Sequence, residues 1–98
     1  MDFKTFAASI SDASPPSGLS DALQAMWWDA KGDWEEAHVC AQRGEDAAGM
    51  HVHAYLHRKE GDQGNAAYWY RRCRIAPFMG SLEQEWGELV EQYLRDAA

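Results

Sequence analysis

His53 and His57 stand four residues apart, the spacing that brings two imidazoles onto one face of an α-helix. Glu60 follows almost one turn further along, and His38 falls on the neighbouring helix. A His-x-x-x-His pair joined by a ligand from an adjacent helix is a donor set for zinc or iron, and Glu60 would add a carboxylate to it. His51 is two residues from His53 and so points elsewhere. No His-Glu-x-x-His or Cys-x-x-Cys accompanies the set. The competing reading is therefore that these histidines pack or hydrogen-bond within the fold. Met50 and Ala54 share their stripe. At least one of His53 and His57 is then expected to be buried and neutral, with a pKa below the ordinary value of about 6.5.

A second group is basic. Arg58, Lys59, Arg71, Arg72 and Arg74 crowd into one short stretch of a chain with 9 Lys and Arg, and they interleave with Tyr68, Trp69 and Tyr70. Guanidinium groups beside aromatic faces can hold an anion or stack a base. Against this, Glu60, Asp62 and the acidic final helix can absorb the same charges in ion pairs. Among the aromatics, Trp27, Trp34, Trp69 and Trp86 lie on apolar stripes and are expected in the core. Trp28 must point about 100° away from Trp27 and is the first candidate for an exposed binding ring, followed by Tyr55 and Tyr68. No Gly-x-Ser-x-Gly, phosphate loop or dinucleotide fingerprint is present, so no cofactor and no catalytic residue is expected. His38 and Cys40 are no dyad, because i and i+2 diverge on a helix. Glu35 and Glu36 read as a solvated face, and Cys40 and Cys73 as small core residues.

These groups need helices to position them. Apolar spacing predicts a short helix over Asp2–Ile10, then a Pro/Ser breaker through Gly18. A helix from about Ser20 to Lys31 ends at Gly32, and Asp33 caps the next, with Glu36 as a capping-box partner. That second helix of the pair runs to about Arg43. A further helix from about Asp46 to Glu60 ends at Gly61, and Asp62 caps another that stops before Pro77. Ser81 and Gln84 open the last helix, whose stripe of Leu82, Trp86, Leu89, Val90, Tyr93 and Leu94 is the cleanest amphipathic pattern in the chain. Very few β-branched residues and no alternating segment exclude a sheet.

Gly32-Asp33 and Gly61-Asp62 are 29 residues apart, and the same offset aligns Leu23 with Val52, Ala25 with Ala54, Ala37 with Ala66 and Arg43 with Arg72. The expected fold is all-α, with five to six helices. Two stacked helix–Gly-Asp–helix hairpins over 19–76 are flanked by an N-terminal piece, 1–18, and a C-terminal helix, 80–98. Lys31-Gly32-Asp33-Trp34-Glu35-Glu36-Ala37 resembles the turn of tetratricopeptide and Sel1-like repeats, whose period is longer. The fuller string is narrower: Trp27-Trp28, Ala30 to Trp34 and Ala37-His38, then His53 to Arg58, Glu60 to Asp62, Asn65-Ala66 and Tyr68 to Arg72. It is similar to a family of small uncharacterised bacterial proteins. The resemblance spans roughly Leu19 to Arg74 and implies no activity. The chain departs from that pattern at Met50, where tryptophan is expected, and at Cys73, where alanine is.

A formal net charge of −7 disfavours nucleic acid and anionic membranes as partners. The first ten residues carry Asp2 and Lys4 and no leader-like apolar run, and no stretch is long enough to span a bilayer. With only two cysteines the chain is not a disulfide scaffold, which makes a reduced cytoplasm the expected setting. Two functions follow as expectations. The first is a non-enzymatic helical module that binds protein, including a second copy of itself as a homodimer. The alternative is a metal- or ligand-binding protein using His38, His53, His57 and Glu60.

Overall fold

In a computed structural model, which describes residues 1–44 and 46–97, every regular element is a helix capped by a short polar side chain. Asp2, Ser20, Asp33, Asp46, Asp62 and Ser81 precede α1 (Phe3–Ser9), α2 (Asp21–Ala30), α3 (Trp34–Arg43), α4 (Ala47–Lys59), α5 (Gln63–Arg72) and α6 (Leu82–Asp96). Each cap oxygen accepts a backbone N–H that the first helical turn would leave unpaired. The expected reciprocal box at Asp33 is only half made. Asp33 accepts from the Glu36 backbone, while the Glu36 carboxylate lies toward Cys40 Sγ instead. Ser81 and Gln84 form the full box.

The two Gly-Asp turns share one geometry. Gly32 and Gly61 take φ of 87° and 89°, in the left-handed region that favours glycine. The following aspartates donate their N–H groups back to Trp28 and His57, closing the same Schellman turn twice. α2 thus pairs with α3 and α4 with α5, α3 packs against α4, and α6 lies across α2 and α4 with α1 on its outer side.

Small residues let the helices approach: Ala25, Ala37, Ala41 and Ala54 are buried. The larger core gathers Phe6, Leu23, Met26, Trp27, Val52, Leu56, Leu89 and Val90, and a smaller one centres on Ala54, Ala66 and Tyr70. Trp27 is fully buried, and its indole N–H donates to Ser9 Oγ, tying α1 to α2. Trp34, Trp69 and Trp86 differ from the core expectation and are half-buried at the core margins. The indole N–H of Trp34 donates to Leu56 O and that of Trp86 to Met26 O. Cys40 is buried as expected, Cys73 only partly.

Candidate metal centre

α3 presents His38 on the turn after Trp34, and α4 presents His53 and His57 on successive turns. Because α3 and α4 pack directly, the three rings meet. One potential ligand atom from each of His38, His53 and His57 lies within 4.8 Å of the others. His38 Nε2 and His53 Nε2 are 2.8 Å apart, so one ring carries a proton and donates it to the other's lone pair. His53 and His57 stack at 4.8 Å between ring centres.

Two indoles brace the cluster. Trp34 stacks on His38 at 4.9 Å, and Trp69 of α5 stacks on His53 at 4.1 Å with only 14° between planes. At the far side His57 Nδ1 meets Glu60 Oε1 at 2.6 Å. This carboxylate engages Nδ1 and leaves Nε2 of His57 as the nitrogen available for coordination. Next to His53 a cleft of about 420 Å³ opens between the end of α3, the start of α4 and α5, with Gln42, Met50, Trp69 and Arg72 on its walls.

His38 and His53 are held neutral. Burial pushes His53 down to about 4, aided by the positive charge that His38 and His57 would carry if protonated. Burial likewise lowers His38, with His57 as the second cause. The expectation of a buried, neutral histidine is thus met at His53, which is 6 % exposed. Neutral imidazoles keep the lone pairs that a metal needs. In a tetrahedral zinc site, ligand nitrogens about 2.0–2.1 Å from the ion lie roughly 3.3 Å from one another. His38 and His53 would therefore separate by about half an ångström to admit an ion.

The residues proposed for anion or partner binding come together only in part, on α5. Tyr55, expected as an exposed ring, is buried at 2 % exposure, and its hydroxyl donates to Asp29 Oδ2 at 2.7 Å. The phenol sits where α4 crosses α2, and that buried carboxylate draws it inward. Arg58 is withdrawn as well: Nη1 lies 3.2 Å from Glu85, and Nη2 donates to Gly80 O. Trp28, the first choice for exposure, is half-buried and set edge-on to Trp27. Tyr68, Arg71 and Arg72 are exposed on α5, with Lys59 and Arg74 exposed at the ends of α4 and α5, and Arg72 lies over Trp69 at 4.9 Å.

Sequence reasoning missed two buried carboxylates. Asp29 accepts from Tyr55 and from Lys59 Nζ at 2.8 Å. Glu85, 1 % exposed, accepts from Tyr70 at 2.5 Å and pairs with Arg58. Burial raises the Glu85 pKa, opposed by the Tyr70 hydrogen bond and the Arg58 charge. It also missed His51, whose Nδ1 is 2.8 Å from Tyr93 Oη. The Trp34-to-His38 spacing of four could have signalled the stacked pair. Nothing local marks Asp29. Comparisons with protein-family models, with curated proteins and with solved structures find no match to this chain.

Proposed function

We propose that this protein binds a transition-metal ion through His38, His53 and His57. The observation that carries the reading is the convergence of three ring nitrogens from α3 and α4, with His38 and His53 held neutral and His57 backed by a carboxylate. Imidazole donors suit zinc, copper, nickel and iron, and a set of three leaves a further position for water or an external ligand. Glu60 acts on the ring rather than on the ion, fixing the tautomer of His57.

Zinc titration of the chelator-treated chain tests this, read by calorimetry and by tryptophan fluorescence. Trp34 and Trp69 stack on two of the ligands, so their emission should change in step with binding. A heat and fluorescence trace flat up to millimolar zinc would refute the reading.

Protein binding is a second reading, supported by one feature of α5. Tyr68 is 45 % exposed, with Arg71 and Arg72 exposed nearby on the same helix. Tyrosine and arginine are the residue types that anchor interfaces. Light scattering from micromolar to millimolar chain would reveal self-association. An unchanged monomer mass would remove the homodimer.

A further inference from the structure

His57 belongs to two ligand sets. Besides His38 and His53, its ring has Glu60 and Asp62 close by, and one ligand atom from each of these three residues also lies within 4.8 Å of the others. Glu60 and Asp62 are exposed, whereas His53 and His57 are buried. The inner set is all nitrogen, and the outer set joins one nitrogen to two carboxylates.

We propose that His57 bridges two divalent ions, Nε2 toward His38 and His53 and Nδ1 toward Glu60 and Asp62. This rests on the metal-binding reading above and extends it to a second, outer site. The local chain supports it in three ways. His57 and Glu60 sit in the last turn and the C-cap of α4, and the Schellman turn at Gly61 then places Asp62 at the head of α5, beside that ring. Asp62 Oδ1 accepts from Asn65 N and Oδ2 from Asn65 Nδ2, which holds the carboxylate in place before any ion arrives. A carboxylate offers about four lone-pair positions, so each of these oxygens retains one for a metal.

Binding at the outer site breaks the Nδ1–H bond of His57. The proton leaves to solvent, the nitrogen lone pair forms a metal–nitrogen bond, and no oxidation state changes. With one ion bound, Glu60 remains the hydrogen-bond acceptor of His57. With two, it exchanges that bond for a metal–oxygen bond. The inner ion binds first, because its nitrogen donors are preassembled and shielded. The outer ion binds more weakly, because its oxygens are solvated and its bridging ring must lose a proton.

Calorimetric titration of the metal-free full chain with zinc tests this. The expected isotherm has two equivalents, the second at least about tenfold weaker and with a heat that depends on the ionisation enthalpy of the buffer, since a proton is released. Asp62→Ser keeps a helix cap. It should retain the first equivalent and lose the second, with circular dichroism showing the helices intact. In the copper(II) form the two ions should couple through the ring, giving less electron paramagnetic resonance intensity than two isolated spins. Wild-type protein that takes up a single equivalent overturns the bridge while leaving the inner site standing. An Asp62→Ser chain that still takes up two equivalents overturns it as well. No uptake at all removes the inner site and the bridge together.

Discussion

Helix α4 carries two buried polar clusters, and they balance charge in different ways. Toward α2 and α6, each carboxylate has a cation and a phenol: Asp29 with Lys59 and Tyr55, Glu85 with Arg58 and Tyr70. Toward α3 and α5, the imidazoles of His38 and His53 have each other, and His57 has Glu60. The first cluster is saturated by opposite charge and fastens α4 to its neighbours. The second is neutral where it is most buried and keeps unspent lone pairs. The first arrangement spends its polar groups on joining helices, and the second leaves ring nitrogens that the fold itself does not fully use.

The sharpest way to break this contrast is to remove one carboxylate. Glu85→Ala leaves Arg58 largely buried without its partner and should cost about 3–5 kcal/mol in urea denaturation. His38→Phe keeps a ring against Trp34 but leaves the neutral His53 Nε2 without its partner, so the metal-free chain should lose about 1–3 kcal/mol. Equal losses in the two variants would erase the distinction. The same His38→Phe variant should lower zinc affinity by at least about a hundredfold, since even outer-shell changes cost about 10–100-fold. An undiminished affinity would place the ion elsewhere.

Acid should act on the histidine side. His51 and His53 are each pushed down to about 4 by burial. A histidine with a depressed folded pKa stabilises the fold above its unfolded value, near 6.5, and that stability is lost as pH falls toward the folded value. For His51 alone the loss at pH 5 is about 2 kcal/mol, because unfolding would let the ring protonate. Denaturation of metal-free protein between pH 7 and 5 checks the sign, and stability that rises on acidification would contradict it. The smallest effect lies at the end of α5. Arg74 takes φ of 60° at the position that Gly32 and Gly61 fill in the other turns. Arg74→Gly should raise stability by up to about 1 kcal/mol, readable as a small upward shift in Tm.

Helices, their caps and the histidine face of α4 were legible because each depends on spacing within a few residues. Asp33 and Asp62 announce their helices in this way, and His53 and His57 share a face whatever lies opposite. The saturated cluster was not legible. Glu85 stands in the first turn of α6, where an acid is expected on dipole grounds alone, yet it is 1 % exposed. Its burial depends on which helices close over α6, a non-local fact. Tyr55 failed as an exposed ring for the same reason, since its fate was decided by Asp29 on another helix. The resemblance over Leu19 to Arg74 implied no activity, so the site had to be assembled from geometry.

Gly49 lies buried within α4, and a Cβ there would overlap the carbonyl of Gly44 at the end of α3. That contact works like the pivot of a pair of tweezers. It lies one turn of α4 before His53 and brings the start of α4 against the end of α3, the two jaws that carry His53 and His38. An alanine at 49 would prop the pivot open, so the grip on an ion would be altered by a residue that never touches it.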